Sequence, residues 1–402
     1  MCRGAPPIAY NRHVVGSRCT PIAVATLLLF ASACDVGGYI EIPNDPSQGG
    51  TGTFDTNTGG FGGGGSAGFA GSAAGGASGD SPVLVGIDPT PSNGSTDPPT
   101  VAAFEAKLAT FAAGARAAVL SVPWNDTNAF ANVPGVADFY AKHEKALLLN
   151  LRVIDGHVDH RPAELSTFAW NAPETVATAE AAVDTLLTNA GNSARFFTFG
   201  RQVDVYLSDH PDERPGFVAF AKALCAYTKA HPGAPKDLAV GVGFSTSAPK
   251  NEAAWSDLID FEDVIDFSYF PGIDTFAPSA AADVAATLFQ LAETVGKKTI
   301  VLSQVGFSTN PFSGGSTDAQ QKFFTTLFGA VIAQRSRFAL VNVVELHDAP
   351  TSSCAQWATD QGDTADGPLA AYVCSLGLFE QDGSPRPAWN AVLSGSAALS
   401  TP

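Results

Sequence analysis

The sequence is poor in charged side chains, and above all in basic ones. Only 15% of its 402 residues are charged, and 22 Lys and Arg stand against 39 Asp and Glu, which gives a net charge of −17. A protein that binds nucleic-acid phosphates needs clustered Lys and Arg. Such clusters are missing, so we expect no nucleic-acid partner. Apolar residues are abundant instead: at 45% of the chain they can form a sizeable core.

The N-terminus lacks a hydrophobic run long enough to cross a bilayer. Its apolar stretch, residues 21–30, is too short for a membrane-spanning helix, but it follows a basic leader and precedes "ASAC", as in a secretion signal. This arrangement resembles a bacterial lipoprotein signal. The resemblance implies a signal peptide over residues 1–33, a lipid on Cys34 and an exported protein anchored to a membrane of the bacterial cell envelope. Plain signal cleavage near Ala33 is the alternative.

Bulky apolar side chains are scarce between residues 47 and 81, where glycine and serine dominate. Such a segment cannot bury enough surface to offset the entropy lost on ordering. We therefore expect residues 34–81 to form a flexible tether. The composition changes abruptly at Pro82, and the folded domain is predicted to span residues 82–397.

Cysteine is scarce as well, and three of the six cysteines lie in the predicted domain. Export permits disulfide formation. Cys354 and Cys374 flank a polar segment, so we predict that they are bonded to each other. Cys225 lies in an apolar helical run and is predicted to be a buried free thiol.

Apolar runs alternate with Ala-rich amphipathic runs throughout the predicted domain. Helical spacing of apolar residues predicts helices, for example over residues 173–190 and 318–334. Continuous apolar strands between helices indicate a parallel sheet covered on both faces. Eight such units predict an α/β fold, the (β/α)8 TIM barrel; an open doubly wound sheet is the alternative, but its Gly-rich phosphate-binding turn is missing. The predicted strands begin at Val83, Ala117, Ala146, Phe196, Leu238, Val264, Thr299 and Ala339.

Polar and aromatic residues follow these strands, and in a barrel the carboxyl ends of all strands meet at one mouth. Carboxylates, an arginine and aromatic rings around one cleft suit a sugar, because hydroxyls need polar partners and sugar rings stack on aromatic faces. An oligo- or polysaccharide ligand is therefore predicted. Capping a helix or lining a turn is the alternative role for each residue. The strand-end residues are Asp88, Trp124, Asp126, Arg152, Asp155, Gln202, Asp204, Phe244, Tyr269, Gln304, Glu345, His347 and Asp348.

Four stretches of the predicted barrel resemble motifs of the clan A glycoside hydrolases, in particular exported bacterial endo-glycanases. "GRQVDVYL" at residues 200–207 is similar to the Asn-Glu motif that ends their fourth strand, and "VLSQVGFS" at 301–308 to the motif of the nucleophilic Glu that ends the seventh. "DFSYFP" at 266–271 resembles a sixth-strand motif, and "SLGLFEQDGSPRPAW" at 375–389 resembles the sequence that closes such barrels. The resemblance implies a TIM barrel over residues 82–393.

The same resemblance puts a glutamine at each catalytic position. Gln202 stands where the family has its acid/base, Gln304 where it has its nucleophile, and Arg201 where an Asn contacts the sugar 2-hydroxyl. Retaining hydrolysis needs one carboxyl to donate a proton and a second to attack the anomeric carbon, and a neutral carboxamide does neither. We therefore predict a catalytically impaired barrel that still binds carbohydrate. The predicted binding residues are Trp124, Asp155, Arg201, Gln202, Asp204, Tyr269 and Asp348.

Two alternatives stay open. An active O-glycosyl hydrolase on a β-linked polysaccharide would use displaced carboxylates, Glu345 with Asp204, because alternation along the eighth strand turns Glu345 toward the lumen. In that position Glu345 would otherwise only neutralise Arg152 or Arg201. The second alternative is a structural envelope lipoprotein without a ligand, whose mouth is filled by its own side chains.

No cofactor or metal is predicted. Residues 155–160 contain two His and two Asp, but on a loop after the third strand these side chains more often cap turns or contact solvent than bind a metal. Ser303 lies within a strand and lacks the glycine-flanked turn of a nucleophilic serine. We expect a monomer.

Overall fold

The computed structural model of the chain describes residues 82–92, 99–250, 255–273 and 283–401. The predicted signal peptide, the lipidation site Cys34 and the tether up to residue 81 lie outside the described residues. Within the described part, eight parallel strands and their helices form a closed (β/α)8 barrel, which confirms the predicted fold. Among the described helices, none has the length and hydrophobicity that a bilayer span requires.

The eight barrel strands coincide with the eight predicted runs to within a few residues. All six residues of the sixth strand are buried, as expected for a strand covered on both faces. A two-residue strand, Val158–Asp159, pairs with the third strand in the antiparallel direction. The barrel strands are β1 (Leu84–Ile87), β2 (Ala117–Pro123), β3 (Ala146–Asp155), β4 (Ala194–Arg201), β5 (Ala239–Ser245), β6 (Val264–Tyr269), β7 (Thr299–Val305) and β8 (Phe338–Val343).

Ten α-helices are present in the described residues, and local sequence explains several of their ends. Asp126 caps the second helix by accepting hydrogen bonds from the backbone N–H groups of Asn128 and Ala129. Pro173 begins the third helix, where the missing N–H costs nothing. The helices are α1 (Pro99–Ala112), α2 (Thr127–Lys142), α3 (Pro173–Ala190), α4 (Val203–Asp209), α5 (Arg214–Ala230), α6 (Asp283–Thr294), α7 (Thr317–Ala333), α8 (Thr351–Asp360), α9 (Pro368–Val373) and α10 (Ala388–Ser400).

β1 closes the barrel, but it pairs with more residues of β8 than of β2. β1 pairs with β8 over four residues, whereas its register with β2 consists of one pair, Gly86 with Ala117. β2 pairs with β3 along all seven of its residues. Glycine suits position 86 because a Cβ atom there would overlap the side chain of Asn342. Beyond Ala117 no further residue of β2 pairs with β1, and we call this part of the barrel wall the seam.

Residues 375–389, the closing segment, return to the end of β8. Leu378 N–H donates to the carbonyl of Glu345 at 3.0 Å, and Phe379 N–H donates to that of Leu346 at 2.8 Å. The sequence that resembles a barrel closure therefore holds the chain just after the last strand.

The cysteines behave as predicted. Cys354 of α8 and Cys374, which follows α9, form a disulfide with their Cα atoms 5.6 Å apart. Cys225 of α5 is a buried free thiol. The disulfide thus joins α8 to the start of the closing segment.

Candidate functional site

A cavity of about 120 Å³ lies at the carboxyl ends of the strands. This is the face at which TIM barrels carry their functional sites. Polar side chains from or just after β1, β3, β4, β7 and β8 contribute to its wall. They are Asp88, Arg152, Asp155, Arg201, Gln202, Gln304 and Glu345.

Both glutamines of the family motifs line this cavity. Gln304, in β7, accepts a hydrogen bond at Oε1 from Ser268 Oγ of β6 at 3.0 Å. Gln202 follows β4 directly and has left-handed backbone angles, φ 49° and ψ 40°, a conformation that non-glycine residues adopt rarely and often at functional sites. Two strand ends therefore bring amides, and not carboxyls, to one space.

Two arginines beside the glutamines share a single carboxylate. Asp155 Oδ2 lies 3.2 Å from Arg152 Nη1 and 3.9 Å from Arg201 Nη1. All three side chains are largely buried, with at most 13% of their surface exposed. Guanidinium groups on this side of the cavity can donate hydrogen bonds to oxygen atoms.

Glu345, two residues past β8, is the buried acid of the cavity wall. It is 2% exposed, and its Oε2 accepts a hydrogen bond from Thr90 Oγ1 at 2.8 Å. Burial, and then the negative charges of Asp88 and Asp348, raise the pKa of Glu345 well above its ordinary value. The alternative role, an ion pair of Glu345 with Arg152 or Arg201, is wrong: within the described residues its hydrogen-bond donor is Thr90 and no ion pair joins it to either arginine.

Two aromatic residues that we predicted to stack on a sugar lie in the core instead. Trp124 is 4% exposed and stacks on Phe220 of α5, with ring centroids 5.9 Å apart. Tyr269 is also 4% exposed and packs against Phe323 of α7 at 5.7 Å. Neither side chain lines the cavity, so both stacking assignments are corrected.

The aromatic rings in the cavity wall come from Phe270 and Trp357. Phe270 follows Tyr269 directly, and successive side chains of an extended chain point to opposite faces. The sixth-strand motif therefore indicated the right strand end and the wrong residue. Trp357 belongs to α8, beyond the last strand, and an argument from strand ends has no signal that selects it.

Two carboxylates expected at the mouth bind other parts of the fold. Asp204 lies in the first turn of α4 and accepts hydrogen bonds from Ser245 N–H at 2.7 Å and Ser245 Oγ at 2.6 Å. Asp348 accepts two hydrogen bonds from Arg386, at 2.7 and 2.6 Å. Neither residue lines the cavity. Asp204 is therefore no partner for Glu345, and neither is placed to bind a ligand there.

The loop after β3 uses its polar residues for local contacts. His157 Nδ1 lies 2.7 Å from Asp209 Oδ2, and Asp159 accepts a hydrogen bond from Arg161 N–H at 2.8 Å. Burial lowers the pKa of His160 to about 4. In the part of the chain that the structure describes, no three His, Cys, Asp or Glu side chains are grouped to hold a metal ion.

Comparison with known proteins gives matches of fold only. No protein-family model and no curated protein matches the sequence. GH5_18 from Streptomyces cattleya in complex with GlcNAc matches with a TM-score of 0.61 and 18% identity, covering 80% of this chain and 81% of that one. A GH5_18 variant from Bifidobacterium longum subsp. longum in complex with Manb1-4GlcNAc matches with a TM-score of 0.60 and 17% identity, covering 78% of each chain.

A third solved structure, the exo-beta-1,4-mannosidase Op5Man5 from Opitutaceae bacterium strain TAV5, matches with a TM-score of 0.61 and 12% identity. The match covers 79% of this chain and 60% of that one. The described barrel thus has the fold of clan A glycoside hydrolases.

Proposed function

We propose that the protein is a glycosidase-like barrel that binds an oligo- or polysaccharide at its mouth and does not perform retaining hydrolysis. The observation that carries this proposal is that Gln202 and Gln304 line the same cavity, at the ends of β4 and β7. The motif resemblance assigns the acid/base and the nucleophile to these positions. Loss of general-acid assistance alone costs about 10² to 10⁴ in rate, and loss of both carboxyls removes the retaining mechanism.

The composition of the cavity wall supports carbohydrate as the ligand. Arg201, Gln202 and Gln304 supply hydrogen-bond donors and acceptors, while Phe270 and Trp357 supply ring faces. Solved structures of similar fold were obtained in complex with GlcNAc and Manb1-4GlcNAc. These two sugars are therefore the first ligands to test.

The location of the barrel is a second part of the proposal. Export and a lipid on Cys34 would hold a monomeric barrel at the bacterial envelope, with residues 34–81 as the tether. Metabolic labelling with a fatty acid tests this directly: label is expected in the wild-type chain and lost in Cys34→Ala. Label that persists in the variant would contradict the anchor.

Titration calorimetry with the purified protein tests carbohydrate binding. We expect it to bind GlcNAc, Manb1-4GlcNAc or an oligosaccharide of a β-linked galactan, glucan or mannan, and to leave the bound sugar intact. Gln304→Ala is expected to weaken binding, whereas the matched control Gln356→Ala, on the exposed face of α8, leaves it unchanged. Failure to bind any glycan would favour the structural lipoprotein without a ligand.

Glu345 supports a second candidate function, an active hydrolase with displaced acids. A buried carboxyl whose pKa is raised can serve as a general acid, and Asp88 lines the same cavity as a second carboxyl. Hydrolysis by the unmodified protein that Glu345→Gln abolishes and Gln304→Ala leaves intact would establish this function. The first proposed function, a barrel without retaining hydrolysis, would instead be supported if turnover arises only in the variant that combines Gln202→Glu, Gln304→Glu and Arg201→Asn.

A further inference from the structure

The cavity extends sideways from the mouth, through the seam between β1 and β2. The register of these strands consists of the pair Gly86 and Ala117, and Val119, Leu120 and Ser121 of β2, which lie beyond that pair, line the cavity. The extension continues to α1 and α2. We call it the side chamber, lined by Lys107, Val119, Leu120, Val136 and Tyr140.

Lys107 of α1 brings an ammonium group into the side chamber. The residue is 5% exposed, and its Nζ lies 5.1 Å from the ring centroid of Phe139 and 5.9 Å from that of Tyr140. Within the described residues no ion pair or hydrogen bond engages this Nζ. Cation–π contacts alone replace only part of the lost hydration of a buried cation. An apolar side chain of similar length would fill this position at lower cost.

Asp88 also lines the cavity, and no ion pair joins it to Lys107 within the described residues. Asp88 Oδ1 accepts a hydrogen bond from Asn342 Nδ2 at 2.8 Å. The pKa of Lys107 is lowered to about 8 by burial. At neutral pH its amine is therefore still mostly protonated and has no anionic partner within the described residues.

Two other cations line the described part of the cavity, and both contact a carboxylate. Asp155 Oδ2 lies 3.2 Å from Arg152 Nη1 and 3.9 Å from Arg201 Nη1. Among the described cations of the cavity wall, Lys107 is the one that lacks such a contact.

We propose that the side chamber receives a carboxylate-bearing sugar residue of the glycan, with Lys107 as the counterion of its acid group. The inference rests on the proposed function, because it names the class of glycan that the mouth binds. Leu120 and Val136 suit the carbon face of a sugar ring, which a free inorganic anion does not have. A uronic acid combines such a face with a carboxylate.

The test compares two β-linked disaccharides of the same linkage, one ending in glucuronic acid and one in glucose. Calorimetry on the wild-type protein is expected to show the acidic disaccharide binding about tenfold more tightly, a ratio equivalent to about 1.4 kcal/mol. Lys107→Met is expected to remove this preference and to leave the affinity for the neutral disaccharide unchanged. Lys142→Met is the matched control, because Lys142 of α2 is 72% exposed.

The outcomes separate this inference from the proposed function. Equal affinity of the wild-type protein for both sugars would overturn the inference and leave the proposed function standing, whereas binding of neither sugar would overturn both. A preference that persists in Lys107→Met would assign the acid group to Arg152 or Arg201 instead. Displacement of the acidic sugar by equimolar sulfate would reduce the site to a simple anion site. Lys107→Gln repeats the test if Met disturbs the packing.

Discussion

Two buried acids that follow β8 differ in their surroundings: Asp348 is bound by the closing segment, and Glu345 lies in the cavity wall. Glu345 and Asp348 follow the same strand and are 2% and 7% exposed. Asp348 accepts two hydrogen bonds from Arg386 and one from Gly377 N–H, at 2.9 Å. Glu345 accepts one, from Thr90, and its pKa is raised. Burial therefore does not distinguish the acid that contacts the closing segment from the acid that lines the cavity, whereas the number of hydrogen-bond partners does.

The largest effect is expected from breaking the ion pair of the closing segment. Asp348→Asn keeps the shape but leaves the Arg386 guanidinium buried without its counterion, which typically costs about 3 to 5 kcal/mol. Urea unfolding measures this loss in the free energy of unfolding. The combination Asp348→Leu with Arg386→Met is expected to recover much of it. A loss below about 1 kcal/mol in Asp348→Asn would place this acid in the same class as Glu345.

A somewhat smaller effect is expected from the disulfide that connects the two regions. Cys354 lines the cavity, and Cys374, 20 residues later, directly precedes the closing segment. In the chain-entropy model a loop of that size contributes about 3 kcal/mol. Cys354→Ser with Cys374→Ser should therefore lower the free energy of unfolding by this amount, and reduction of the wild-type protein should do the same. Equal free energies of unfolding for the oxidised wild type and the double variant would contradict the prediction.

The smallest effect is expected at Glu345 and has the opposite sign. Its folded pKa lies well above the ordinary value of 4.5, so the folded state retains a proton that the unfolded state releases. Wild-type stability therefore falls as pH rises from about 4.5 toward the folded pKa. Glu345→Gln removes this dependence and should raise the free energy of unfolding by about 1 to 2 kcal/mol at pH 7.

Thermal unfolding at pH 4, 6 and 8 checks the sign. The gain in the free energy of unfolding of Glu345→Gln over the wild type should be near zero at pH 4 and increase with pH. A gain in Glu345→Gln that is equal at all three pH values would show that Glu345 has no raised pKa.

The sequence predicted the fold well because its signals were periodic. Runs of buried apolar residues mark every strand, and β6 spans the same residues, 264–269, that its "VIDFSY" run predicted. The prediction also placed Asp155, Gln202, Gln304 and Glu345 on strand ends, and the motif resemblance added Arg201; all five line one cavity. Topology alone brings these residues together, since parallel strands in a barrel share one mouth.

What the sequence could not supply is the direction of individual side chains. Asp204 and Asp348 occupy strand ends, yet Ser245 and Arg386 hold their carboxylates elsewhere. Lys107 was not selected, because a lysine in an amphipathic helix is usually a solvent-exposed residue. Lys107 reaches the cavity through the seam between β1 and β2, and no local sequence pattern predicts that seam.

The first strand of the barrel is held mainly by the last. β1 pairs with β8 from Leu84 with Leu340 to Ile87 with Val343. With β2 it forms one pair, Gly86 with Ala117. Closing a loop across nearly the whole domain costs entropy before the contact stabilises anything. During synthesis from the N-terminus, β1 therefore remains an exposed apolar edge until β8 has been made. Completion of the chain, more than any local nucleus, then determines when the barrel can close.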